Sequence, residues 1–146
     1  DMSSVLDVGC GCGHYVAALR RLGIDASGYD ANPHTEELSS LLLPWGEEPC
    51  HTFDFTNELE EYDAFDLVIC LDVLPYIPKV KRRRLVTNLT KLSRKAILIS
   101  YKEDNPLDVQ ELQQILTESH YTINEFASKH FKETTKNKQE YFLFEL

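Results

Sequence analysis

The sequence predicts an α/β fold, a doubly wound and mostly parallel sheet, on three observations. Apolar runs of strand length alternate with segments of helical periodicity, half of the six glycines crowd into one loop behind the first run, and the chain ends in strand-like segments. Alternation of this kind needs parallel strands joined by right-handed crossovers, with helices on both faces. Seven strands are expected, the last two forming an antiparallel hairpin at one edge.

Each element has its own signal. Val5-Leu6-Asp7-Val8 is a short apolar run that stops at glycines, as a buried strand does. His14 to Leu22 reads as a helix with Val16, Leu19 and Leu22 on one face, closed by Gly23. Ile24 to Tyr29 is a second strand, and Thr35 to Leu43 a helix just after Pro33. Pro44, Gly46 and Pro49 break the chain before a short third strand, Cys50 to Phe53. Asp66 to Leu71 is a fourth strand, and Pro75 and Pro78 bracket the loop that follows it. A basic helix then runs from Lys79 to Leu92, with Leu85, Leu89 and Leu92 behind its charges. Lys95 to Tyr101 is a fifth strand, and Asp108 to Ser119 a helix with Val109, Leu112, Ile115 and Leu116 on its apolar face. From Tyr121 the chain turns strand-like, and polar residues from Glu133 to Glu140 separate that segment from Tyr141-Phe142-Leu143-Phe144.

Length and composition narrow the function classes. With 146 residues, 42% of them hydrophobic, residues 1–146 are expected to form one domain around one sizeable core. No window approaches the ~18 consecutive apolar residues of a membrane span. Four cysteines, two in the glycine loop and two in predicted strands, make no disulfide framework, and no ligand spacing accompanies Cys10-Gly11-Cys12, so no metal is expected. Reduced cysteines favour the cytoplasm or nucleus. A net charge of −9 opposes binding to a phosphate backbone over most of the surface. Lys79, Lys81, Arg82, Arg83 and Arg84 run against that trend, leaving ten basic against 24 acidic residues elsewhere. The expectation for them is a solvated helix face; contact with an anionic partner is the rival reading.

In an open parallel sheet, ligands bind beyond the carboxyl ends of the strands where strand order reverses. There stands Asp7-Val8-Gly9-Cys10-Gly11-Cys12-Gly13. Glycines at alternate positions let backbone turn tightly and approach a ligand without a Cβ in the way; a purely structural turn is the competing reading. The third glycine comes one residue too early for a dinucleotide fingerprint, and no Lys-Ser/Thr follows for a P-loop. Asp30 ends the second strand 17 residues beyond Gly13, where a carboxylate can accept both hydrogen bonds of a ribose diol.

These residues resemble the class I S-adenosylmethionine-dependent methyltransferase family, in its small-molecule branch, along nearly the whole chain. The resemblance implies the Rossmann-like fold of that family, S-adenosylmethionine as methyl donor and S-adenosylhomocysteine as product. It places Asp7 near the methionine ammonium, and Gly9, Cys10, Gly11 and Gly13 beneath the methionine and ribose. Asp30 would hold the ribose, with Ala31 beside the adenine; Asp54 and Phe55 would face the adenine, and Cys70 and Leu71 would approach the methionine. The reversed seventh strand of the family matches the expected terminal hairpin. Two departures stand out. Many small-molecule members carry Glu-His where this chain has Pro75-Tyr76, which removes a histidine base. Only Asp1-Met2-Ser3-Ser4 precede the first strand where members have covering helices, so a lid is expected from a longer parent chain or a partner.

Methyl transfer from a sulfonium draws much of its rate from alignment, so a base is optional. Asp72, Tyr76 and Tyr101 are the candidates, since loops after the fourth and fifth strands border the acceptor. The acceptor is expected to be a small molecule, with a protein side chain second and nucleic acid third. A domain that keeps the fold as an inactive scaffold is the alternative from another class.

Overall fold

A computed structural model describes residues 2–102, 106–134 and 139–146. The expected alternation is realised as β1 (Ser4–Val8), α1 (His14–Arg21), β2 (Asp25–Asp30), α2 (Thr35–Leu42), β3 (His51–Thr52), β4 (Phe65–Cys70), α3 (Lys79–Leu92), β5 (Ser93–Lys102), α4 (Pro106–Glu118), β6 (Thr122–Ile123), α5 (Glu125–Thr134) and β7 (Gln139–Glu145). A short 3₁₀ turn, Leu74–Tyr76, links β4 to α3.

The strands form one sheet in the order β3-β2-β1-β4-β5-β7-β6. Every pairing is parallel except those of β7, which runs antiparallel to both β5 and β6. Strand order therefore reverses between β1 and β4, and the carboxyl ends of those two strands open the crevice where a ligand belongs. Alternate residues of each strand feed two cores. Leu6, Val8, Val68, Ile97 and Ile99 meet Leu85, Leu89, Leu112 and Leu116 on the α3–α4 face. Val5, Ala26 and Ile69 meet Val16, Ala17, Cys10 and Cys50 on the α1–α2 face.

The C-terminal edge is antiparallel, as the sequence implies, but its two strands are not consecutive. α5 stands between them on a stretch expected to be extended. Its start is written in polar atoms: Asn124 Oδ1 accepts the Ala127 N–H at 2.9 Å, and Ser128 is buried with its Oγ accepting the Leu143 N–H at 3.0 Å. A helix seated on β7 through a serine lacks the leucine stripe that periodicity detects. The third strand is also shorter than expected. It ends the sheet and pairs only through Tyr29↔His51 and Asp30↔Thr52. Among the described residues no helix is long and apolar enough to cross a membrane.

Candidate cofactor-binding site

The glycine loop is fastened to the end of β2 by backbone and side chain together. The N–H groups of Gly9 and Cys10 both donate to the Tyr29 carbonyl, at 2.8 and 3.1 Å. Asp30 completes the join, with Oδ2 accepting the Gly11 N–H and Oδ1 the Asn32 N–H, both at 2.9 Å. The loop's turn demands glycine. Gly9 has φ +78°, and a Cβ there would run into Val73 of the loop after β4; Gly11 has φ +56° but opens onto free space.

Asp7 lies beneath this loop, 2% exposed, and its Oδ2 is buried with no hydrogen-bond partner. Burial, and then the neighbouring Cys50 and Asp30, push its carboxyl up to about 7. A buried carboxyl oxygen left without a partner beside a ligand crevice is an acceptor awaiting a donor.

Above the loop lies a cleft of about 410 Å³, walled by Val8, Gly9, Asp30, Ala31, Phe53 and Asp54 on one side and by Asp72, Val73, Tyr76 and Ile77 on the other, with Phe55, Thr56 and Leu85 behind. That volume falls in the range of small-molecule and cofactor sites. Phe53 and Phe55 pack edge to face, ring centres 4.9 Å apart. Asp54 accepts the Thr56 N–H at 2.8 Å. Burial raises its carboxyl, but Thr56, whose N–H it accepts, and Lys81 outweigh this and hold it below the ordinary aspartate value.

The structure brings Gly9, Asp30, Ala31, Asp54 and Phe55 to one cleft, while Asp7, Cys10, Gly11 and Gly13, in or just before the loop, are not among the residues that line it. Cys70 is fully buried in the α3–α4 core, so it can approach a ligand only through its backbone. Leu71 is half-buried and outside the cleft wall. Among the candidate bases, Asp72 and Tyr76 are exposed on the cleft wall, while the side chain of Tyr101 lies outside the described residues. Asp72 carries φ +61°, held there by the Ser100 hydroxyl, which accepts its N–H at 2.7 Å.

Sequence reasoning misses two residues that set the cleft's shape. Ser100 fixes Asp72. Asn88, buried in α3, donates to the Phe55 carbonyl at 2.7 Å and the Asn57 carbonyl at 2.8 Å, clamping that wall of the cleft onto the helix. A signal for the second exists: Asn88 is polar within the buried stripe of Leu85, Val86, Leu89 and Leu92.

Residues 1–134 match a family described as a methyltransferase domain. The chain belongs to that family. Among curated relatives, this methyltransferase domain is 28% identical over 102 residues to the magnesium-protoporphyrin O-methyltransferase of Synechocystis, covering 66% of this chain and 43% of the relative. It is 34% identical over 83 residues to the ubiquinone biosynthesis O-methyltransferase of Methylococcus capsulatus, covering 50% of this chain and 32% of that protein. The methyltransferase domain thus spans less than half the length of these relatives. In structure it resembles magnesium protoporphyrin IX methyltransferase from Synechocystis with bound SAM, with a TM-score of 0.72 at 20% identity over 97% of this chain and 68% of that one. It also resembles a TehB-like SAM-dependent methyltransferase from Corynebacterium glutamicum, with a TM-score of 0.78 at 18% identity over 97% of this chain and 79% of that one. At these identities the structural likeness bears on the fold.

Proposed function

We propose that residues 1–146 form one catalytic domain that moves a methyl group from S-adenosylmethionine to a small-molecule acceptor. The observation that carries this reading is the cleft that Gly9, Asp30 and Asp54 line together, with a buried Asp7 oxygen lacking any partner just before the glycine loop. S-adenosylmethionine supplies a methyl carbon already activated by a positive sulfur. The chain's part is to hold and align. Asp7 offers its free oxygen to the methionine ammonium, Asp30 its remaining lone pairs to the ribose diol, and Asp54 with Phe53 and Phe55 forms an adenine wall. Opposite, Asp72 and Tyr76 border the acceptor side, Asp72 placed to take up a proton where the acceptor gives one.

Oxygen as the accepting atom is supported by the two O-methyltransferases among the curated relatives, whose names also support a small molecule over a protein side chain or nucleic acid. The free cysteines support a reducing compartment such as cytoplasm or nucleus. The test is calorimetry with S-adenosylmethionine and S-adenosylhomocysteine, then methyl transfer to hydroxylated aromatic compounds. Asp30→Ala is expected to weaken cofactor binding by about 1.5–3 kcal/mol, the scale of a hydrogen bond to a charged group. Binding of neither ligand by the folded wild type would leave the fold as an inactive scaffold.

A further inference from the structure

Two thiols meet beneath the glycine loop that methyl transfer does not use. Cys10 lies within the loop and Cys50 just ahead of β3, and both are buried in the same α1–α2 core. They converge over Gly28 of β2: a Cβ built there would stand 2.8 Å from Cys50 Sγ and 3.0 Å from the Cys10 Cβ. Cys50 Sγ also lies 2.8 Å from where a Cβ of Gly13 would be, so it supports the loop from below. Ser39 fixes its position, its Oγ accepting the Cys50 N–H at 2.9 Å. The Cys10 thiol donates to the Gly11 carbonyl at 3.6 Å, and the neighbouring thiols pull apart in acidity, Cys10 pushed up and Cys50 drawn down to about 7, which makes Cys50 the better nucleophile.

We propose that Cys10 and Cys50 form an oxidative modification site, a dithiol that hydrogen peroxide closes to a disulfide, and that closure dismantles the loop holding the cofactor. Once a local opening of the loop admits peroxide to the buried pair, the Cys50 thiolate attacks one peroxide oxygen, the O–O bond breaks, and the departing hydroxide takes the Cys10 proton to become water. The Cys10 thiolate then attacks the sulfenic sulfur on Cys50. The S–S bond forms, the S–O bond breaks, and a second water leaves with the proton Cys50 first released. Two thiols are oxidised and one peroxide is reduced to two waters.

Bonded sulfurs sit about 2.05 Å apart, closer than any thiol contact, so backbone must follow. Cys50 has no slack, wedged against Gly13 and Gly28 and tied to Ser39. Cys10, flanked by Gly9 and Gly11, is the side that moves, and its movement pulls on the Tyr29 and Asp30 bonds. The effect on binding rests on the S-adenosylmethionine reading above; the cross-link and the loop's loosening do not.

The experiment treats the reduced chain with peroxide, blocks remaining thiols with N-ethylmaleimide, and maps linked peptides by mass spectrometry. Hydrogen exchange across residues 9–13 and calorimetry with S-adenosylmethionine are run on the reduced, oxidised and re-reduced protein. The expected result is a Cys10–Cys50 link, faster exchange in the loop, and affinity lower by about tenfold or more, a measurable change in binding free energy, all reversed by dithiothreitol. Cys12→Ser is expected to keep the link, while Cys50→Ala loses it and shows the same affinity before and after peroxide. A link through Cys12 or Cys70, no link at doses that oxidise Cys12, or a linked protein with an unloosened loop would overturn the proposal. If the reduced chain binds no S-adenosylmethionine, the methyl-donor reading fails, while the peptide map and exchange still decide this one.

Discussion

The carboxyl edge and the amino edge of the sheet each bury an aspartate, and they treat it in opposite ways. At the amino edge Asp66, the second residue of β4, accepts the Ser3 N–H at 2.9 Å and the Ser3 hydroxyl at 2.8 Å, with Lys95 Nζ at 3.1 Å. These partners, Ser3 first, hold its carboxyl well below the ordinary aspartate value. At the carboxyl edge Asp7 has one oxygen with no partner, and burial lifts its carboxyl to about 7. The amino edge is satisfied and closes the fold. The carboxyl edge carries an electrostatic cost that a proton or a bound donor relieves, which is how a binding site differs from a joint.

The comparison breaks most visibly in the pH dependence of stability. Asp7 binds its proton more tightly folded than unfolded, so stability falls as pH rises from about 4 to 7 and levels above that. Asp66 has the opposite sign: its contribution is present above the unfolded value and is lost as pH falls through the depressed folded one. At roughly 1.36 kcal/mol per pH unit, Asp7→Asn is expected to stabilise the free protein at pH 8 by about 2–4 kcal/mol while weakening S-adenosylmethionine binding. Asp66→Asn is expected to destabilise at pH 8 and to flatten only the acid limb. Urea titrations between pH 3 and 9 measure both. An Asp7→Asn protein less stable than wild type at pH 8 would remove the functional reading of that carboxyl.

A smaller effect separates two glycines of the same loop. Gly9→Ala meets both a left-handed backbone and the Val73 side chain, and about 2–3 kcal/mol of destabilisation is expected. Gly11→Ala meets only the backbone preference, since nothing lies within 4 Å, and about 1–2 kcal/mol follows. Thermal unfolding ranks them. Equal losses would show that Val73 yields freely and that clearance is not what selects Gly9.

Much of this was legible in the residues because the carboxyl edge is built from local signals. Gly9, Gly11, Gly13 and Asp30 announce the loop by spacing alone, and the alternation of strands and helices announces the sheet. What stayed hidden depends on contacts between distant segments. Asn88 reaches 33 residues back to Phe55, Ser100 reaches 28 back to Asp72, and Cys50 meets Cys10 across two crossovers. α5 was hidden for a different reason, since among the described residues its buried contact is a serine hydroxyl. Spacing marks the three loop glycines alike, whereas only the position of Val73 shows that Gly9 needs clearance from the protein itself.

The smallest effects lie on α3, where one basic run divides between the two kinds of surface. Arg82 is half-buried, and its Nε donates to the Ile77 carbonyl at 2.8 Å, holding a residue of the cleft wall. Arg83 and Arg84 are exposed; Arg83 lies 3.6 Å from Glu118, with both side chains more than half exposed to water. Exposed pairs of this sort contribute ~0–1 kcal/mol, because water screens the charges and ordering long side chains costs entropy. Arg82→Gln is therefore expected to cost about 1 kcal/mol, since it removes a hydrogen bond that shapes the cleft. The double substitution of Arg83 and Arg84 by Gln is expected to stay within about 0.5 kcal/mol and to leave cofactor affinity unchanged. Thermal unfolding and calorimetry at two salt concentrations distinguish the positions. If the outer pair proved the costlier, or if its loss abolished a salt-sensitive capture of the acceptor, that face of α3 would belong with the carboxyl edge as a recognition surface, and the expectation of a merely solvated helix face would be wrong.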